Sequence, residues 1–415
     1  MAKGIYTQIL RQIQTDQTAV PATVKSKKVY FSTADPGATR GDDDASNIMA
    51  GASRHPTEPN NGFYEISPSI ETELMATGSD LYAACGSMES TMVGGTMGAD
   101  LAVTAGVIDA TAQTLTLTKT AHGLTVGDSV EILALTAPTS LNSKIWPVIS
   151  IPTADTFVLR IAMGTSSTFT KGSGTVKKVT AAGVLTHTIK AGGNLPYYLQ
   201  EFGCTDAGQY MQEFGTKCAS LGFSIGTKGA VGLSTKWMGG KQVVASSSFD
   251  SGTPLDNGKS SFQNIRIAAS DMKEGGSAVA GILSIDGISL DNTLDGDSYY
   301  VGGGGYRSEI DEGLYALKGT VKSVFNDLTL YNKALNSTTS SLDVTIKRGS
   351  GDGTAGNEKI QSVMSEIKYK PKSPPFNGGK KVIAELAFTG FFKSNADATA
   401  LKFIVTNSLL PGAMI

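Results

Sequence analysis

Histidine and cysteine are scarce, at three residues each, and tryptophan scarcer, at two, in a chain of 415 residues. Charged residues reach only 17%, against roughly 25% in an ordinary soluble domain. Each shortage excludes something. His55, His122 and His187 stand apart in loop or strand contexts, and neither HExxH nor GxSxG occurs, so the zinc-protease helix and the nucleophile elbow are missing. Cys85, Cys204 and Cys218 are odd in number and lack metal spacing. They read as small buried side chains in a reducing compartment. No apolar run approaches the roughly 18 residues that span a bilayer. The opening MAKGIYTQILRQIQTDQ has no signal-peptide core. The expectation is a soluble chain made in a cytoplasm, with no membrane partner. A net charge of −2 gives no basic field to attract nucleic acid, and no aromatic–basic pattern suggests base stacking.

Short motifs also fail on inspection. The run GGGGY, Gly302 to Tyr306, lacks the Lys-Ser/Thr of a phosphate loop and no helix pattern follows; it reads as a turn. DNTLDGD puts Asp291, Asp295 and Gly296 in a calcium-loop register. Thr293 and Gly302 then stand where a carboxylate or amide and the bidentate Glu belong. RGD at Arg40–Asp42 is a lone tripeptide in a polar loop. His122, in AHGLTVGD, suits the lining of a turn. No catalytic residue, cofactor or metal site is expected, and a hydrolase on a β scaffold is disfavoured because no acid/base pair is evident.

What is abundant is glycine, with 49 residues, among scattered Ser and Thr. That texture suits many short strands joined by tight turns. Residues 32–61 cluster Pro, Gly, Asp, Asn and Ser and support no regular element. Gly62–Ser87 then reads GFYEISPSIETELMATGSDLYAACGS. Tyr64, Ile66, Ile70 and Leu74 fall on one face of a period-two strand; Glu65, Ser67, Ser69, Glu71 and Glu73 fall on the other. Ser79 can cap a short helix, Asp80 suits its first turn, and Gly86 can end it. Gly313–Ser337, GLYALKGTVKSVFNDLTLYNKALNS, echoes this stretch: Tyr315, Leu317, Val321 and Phe325 make the apolar face, and a helix begins near Asp327. Each copy is followed by a strand pair, one near Cys218–Lys241 and one near Ser362–Phe392. The same order twice points to an internal duplication. Between them, residues 105–179 are rich in Thr, Val and Ile without a helix signal, which reads as an inserted small β-sandwich.

The fold class expected is therefore mostly β, with β-sandwich or partial-barrel units each carrying a short helix. The divisions fall at 1–104 plus 180–250, at 105–179, and at 251–415.

An ordered set of segments resembles the tail tube proteins of long, non-contractile bacteriophage tails. They are the opening MAKGIYTQILRQ, the block YYLQEFGCTDAGQYMQEFGTKCASLGFSIGTKGAVGLSTKWMGGK, and the strand-helix GLYALKGTVKSVFNDLTLYNKALN. The insertion HGLTVGDSVEILAL…LNSKIWPVISIPTADTFVL is similar to immunoglobulin-like modules of phage tail proteins. The resemblance implies a self-assembling structural subunit in the virion tail, without catalysis. It implies two tail-tube-like domains whose strands join a β-barrel ring, three duplicated chains making a pseudo-sixfold ring, with a six-chain ring as the alternative. The other partners it implies are a tape measure protein, tail terminator and distal tail proteins, and double-stranded DNA that passes without sequence recognition. The module is expected to project outward, since it would block a channel of DNA width. Glu65, Glu71 and Glu73 in one copy, and Lys318 and Lys322 in the other, are the candidates for a lumen or inter-subunit face. The competing reading is a non-catalytic carbohydrate- or cell-surface-binding β protein. It would display an aromatic patch, whereas Trp146 and Trp237 lie in strand-like patterns.

Overall fold

A computed structural model describes residues 4–40, 62–135, 138–162, 167–170, 174–278, 282–296, 304–325, 328–376 and 381–415. Alternation of buried and open positions every second residue drives the architecture. It is unbroken in the strands Val184–Lys190, Gly232–Met238 and Ser340–Lys347. Each such strand buries one face and offers the other.

In chain order, the elements that build the main layers are β1 (Thr7–Gln14), β2 (Thr33–Asp35), β3 (Ala38–Arg40), β4 (Tyr64–Ile66), β5 (Ser69–Glu73), α1 (Ser79–Cys85), β6 (Ser87–Val93), β7 (Val184–Lys190), β8 (Tyr197–Cys204), β9 (Gln209–Ile225), β10 (Gly232–Met238), β11 (Ile282–Asp291), β12 (Ala316–Val324), α2 (Thr329–Leu335), β13 (Ser340–Lys347), β14 (Lys359–Tyr369), β15 (Ile383–Gly390), β16 (Lys402–Asn407) and α3 (Pro411–Met414). The front layer is antiparallel and runs β2-β5-β10-β9-β11-β12-β15. The back layer runs from the short strand Met272–Glu274 through β13-β14-β16-β7-β6. Phe223, Trp237, Ile288, Leu317, Val321 and Phe388 from the front meet Met88, Ile189, Val344, Ile360, Met364 and Phe403 from the back in one buried cluster. Full burial of side chains this size stabilises by about 1.5–3 kcal/mol each. The chain is mostly β, as expected, and its front sheet is open within a single chain.

β9 is 17 residues long and serves two sheets. Its first part pairs with β8 and with Lys241–Ala245; the rest pairs with β10 and β11. Gly215 sits at the change, at φ +62°, and its N–H donates to Gln14 Oε1 at 2.8 Å. A side chain there would be strained and would crowd Gln17.

The two short helices differ. α1 is buried over Leu81–Cys85 and ends at Gly86, whose φ is +77° and whose N–H donates to the Tyr82 carbonyl. The sequence places the cap at Ser79; in the structure Gly78, at φ +68°, occupies the N-cap without a side-chain bond. Its left-handed turn delivers the chain from β5 in a geometry Ser79 would resist. In α2 only Ala334 is buried; Asp327, the expected start, lies outside the described residues. Part of the stretch 32–61 is regular after all: β2 pairs with β5 and β3 with β4. Both strands are three residues long, too short to show a period. Residues 41–61, Gly302 and Gly303 lie outside the described residues.

Residues between Val103 and Val176 enclose a second core, including Ile108, Leu117, Ile132, Trp146, Phe157 and Leu159. This segment is tied down at several points. Its last strand, Thr175–Ala181, pairs with Thr96–Ala102. Arg160 donates to the Asn194 carbonyl at 2.6 Å, the Gly412 N–H donates to Ser129 Oγ at 2.9 Å, and Ile149 joins the main core.

Candidate functional surface

Opposite the main core, the front layer carries a face of small polar and charged side chains. Register puts Glu71, Ser234, Gly222, Ser289, Lys318 and Thr389 in one row across β5, β10, β9, β11, β12 and β15. A second row holds Ser69, Lys236, Ser220, Asp291 and Ala316. Glycine and serine are poor strand formers, and their use here keeps the face low: a Cβ on Gly222 would already lie 2.8 Å from Ser234 Oγ.

Acids and lysines are interspersed. Lys322 Nζ lies 2.8 Å from Asp286 and 3.8 Å from Glu385, and Lys372 Nζ lies 2.9 Å from Glu385. Hydrogen bonds from the two lysines hold Asp286 and Glu385 below the usual carboxylate range, and the bond to Asp286 raises Lys322. Pairs this exposed contribute at most about 1 kcal/mol, so their role is to neutralise the surface rather than to hold the fold. The charges are also graded across the sheet. Asp35, Glu71 and Glu73 lie at the β2–β5 edge; Lys368, Lys370 and Lys372 lie at the far edge, along β15. Lys370 donates its N–H to the Ala387 carbonyl at 2.7 Å, so residues 370–372 continue β14 beside β15.

Of the five residues singled out from sequence, the structure brings four together. Glu71 and Glu73 on β5, and Lys318 and Lys322 on β12, share this face. Glu71 and Lys318 stand in the same row four strands apart, about 19 Å at roughly 4.8 Å per strand. Glu65 is exposed on β4, in the separate two-stranded sheet with β3. Sequence reasoning missed Ser220, Gly222, Ser224 and Ser289, which form the middle of the face, and the basic edge. The alternation of lysines in KYKPK was the available signal for that edge.

A second constellation is buried. Ser90 Oγ donates to His187 Nδ1 at 2.7 Å, and His187 Nε2 faces Asn407 Oδ1 and the Leu409 carbonyl, both at 3.1 Å. Asn407 Nδ2 donates to the Ala76 carbonyl, which turns its oxygen to the ring. The proton therefore sits on Nε2. Burial pushes the imidazole down to about 4. Ser90, His187 and Asn407 are each 0–1% exposed, so this resembles a hydrolytic triad only in composition and works as a clasp joining β6, β7 and β16. His122 lines a turn, as expected, accepting the Leu124 N–H at Nδ1. Cys85 and Cys218 are buried, with burial raising both thiols. Trp146 and Trp237 are buried as well. Among the described residues no cluster of three or more His, Cys, Asp or Glu could hold a metal, and no helix is long and apolar enough to cross a membrane.

A broad, low, charge-mixed sheet face is backed by a continuous apolar core, the layering of a β-sandwich. The chain belongs to the phage tail tube protein family, whose family model matches residues 12–390. It is accordingly a structural subunit of a phage tail. A search of curated proteins found no match.

Proposed function

We propose that this subunit closes into rings that stack into the tail tube, with the polar front face lining the channel through which the genome passes. The observation that carries the reading is the face itself: seven antiparallel strands with a low polar surface of mixed charge. A polyanion can slide along such a wall without the counterion-releasing phosphate contacts that make DNA stick. The open edges of the front sheet support closure by neighbours, because a barrel removes edges that otherwise aggregate.

The strand order supports a duplicated wall. β2-β5-β10-β9 and β11-β12-β15 with the 370–372 extension follow the same plan. Asp35 opposite Ser69 corresponds to Asp286 opposite Thr320. Gly239 bridges Ile66 as Gly390 pairs with Leu317. A Cβ on Gly239 would meet Ile66 at 2.7 Å, and one on Gly390 would meet Leu317 at 2.4 Å. On this reading 1–104 plus 180–250 and 251–415 are two tail-tube-like units, three chains make a pseudo-sixfold ring, and 105–179 is an immunoglobulin-like module carried outside it. Tape measure protein inside the tube, and terminator and distal tail proteins at its ends, complete the partners.

Negative-stain microscopy of purified protein tests this: hollow tubes or rings are expected. A monodisperse monomer would favour the surface-binding reading. Mass measurement of an isolated ring separates three chains from six.

A further inference from the structure

Resting on that ring reading, we infer which edges join neighbouring chains, and in what register: the acidic β2–β3 edge of one copy pairs antiparallel with the Lys370–Pro375 edge of the next. The template is inside the chain. The two four-strand units already meet at one seam, where Ser220 stands opposite Asp291, Leu221 opposite Leu290, and Gly222 opposite Ser289. Lys370 occupies the place of Ser220, each lying beside the strand position that faces Thr320 or Ser69. Thr39 occupies the place of Asp291, opposite Glu65 as Asp291 is opposite Ala316. Transferring the seam sets Lys370 of one copy opposite Thr39 of the next. It sets Lys372 opposite Gly37, with Asp35 the next residue along on the same face.

Two further features fix the direction of joining. Among the described residues, β2 is paired on one side only, with β5. On the other edge the Lys370 N–H points inward to Ala387, so the backbone of Pro371 points outward. Neither Pro371 nor Pro375 has an N–H. This edge offers carbonyls and few donors, so it cannot zip to a second copy of itself, and lysines would face lysines if it tried. The opposite edge retains N–H groups and carries Asp35. Unlike edges must meet, which is a head-to-tail contact that closes a ring.

The test is a disulfide scan in the full chain. Thr39 and Lys370 are both exposed, and within one chain they lie on opposite edges, more than about 30 Å apart at roughly 4.8 Å per strand. Tubes of Thr39→Cys/Lys370→Cys, mildly oxidised, should give a covalent ladder ending at the closed ring on non-reducing gels. Thr39→Cys/Ser234→Cys should stay monomeric. Lys372→Glu should lower tube yield at least tenfold, and Asp35→Lys in the same chain should restore it. Tubes that form but give no ladder, or give it equally with the Ser234 control, overturn the seam and leave the ring reading intact. Wild-type protein that forms neither rings nor tubes overturns both.

Discussion

Ser90 and His187 are joined by a 2.7 Å hydrogen bond although 97 residues separate them, and neither touches solvent. The ring must stay neutral, because the Nδ1 lone pair accepts from Ser90. Unfolded, His187 titrates near 6.5; folded, near 4. Between those values the unfolded chain binds the extra proton, so stability is full above about pH 6.5 and falls as pH drops toward 4. At about 1.4 kcal/mol per pH unit, the loss approaches 3 kcal/mol. Urea midpoints measured from pH 7.5 to 4.5 should show it. His187→Gln should be less stable at pH 7.5 but lose the part of the slope that differs from wild type.

Arg11 places its guanidinium 4.3 Å from the Trp237 ring and 2.7 Å from Asp80. The side chains of the pair are only 6% and 13% exposed. Nearby, burial and the charge of Arg11 push the Lys27 ammonium down. Removing one partner of such a pair leaves a stranded charge, at a cost of about 3–5 kcal/mol. Asp80→Asn should therefore lower the urea midpoint sharply. Arg11→Met combined with Asp80→Asn should recover much of that loss, as a double-mutant cycle would report.

Gly86 and Gly258 provide a matched comparison. Both are left-handed, at φ +77° and +71°. A Cβ on Gly86 would lie 2.7 Å from the carbonyl oxygens of Gly193 and Asn194, whereas one on Gly258 meets nothing within 4 Å. Gly258→Ala should cost about 1–2 kcal/mol from backbone conformation alone. Gly86→Ala must also displace backbone and should cost at least about 2 kcal/mol more. Thermal melts of the two variants check the difference.

Much of this fold was legible because period-two patterning is local. Ile66, Ile70 and Leu74 are buried as their spacing requires, and Glu71, Glu73, Lys318 and Lys322 are on the open side as theirs requires. That the two sets share one surface was not legible, since β10, β9 and β11 intervene and their pairing is long-range. Ser220, Gly222 and Ser224 fall in a segment whose sequence reads as a strand, but only the pairing with β10 and β11 makes their smallness the property of a continuous face. The clasp was hidden for a related reason, with His187 and Asn407 separated by 220 residues. Ser79 was a sound cap by composition, but the turn leaving β5 demands the positive φ that Gly78 supplies.

Ser224 and Ser234 test the channel directly. Both are exposed in the middle of the polar face, away from the edges. Replacing both with lysine adds positive charge to this face without removing a buried group, so folding and assembly should be unchanged. If this face lines the channel, the added lysines create phosphate contacts that the wild-type wall avoids. Short duplex DNA should then be retained by variant tubes at low salt and released as salt rises, with the slope of log affinity against log salt steepening by about one per phosphate neutralised. Retained DNA should resist nuclease, because it lies inside. Retention that nuclease removes would put the face on the outside of the tube, and no retention at all would mean that the face is buried between rings.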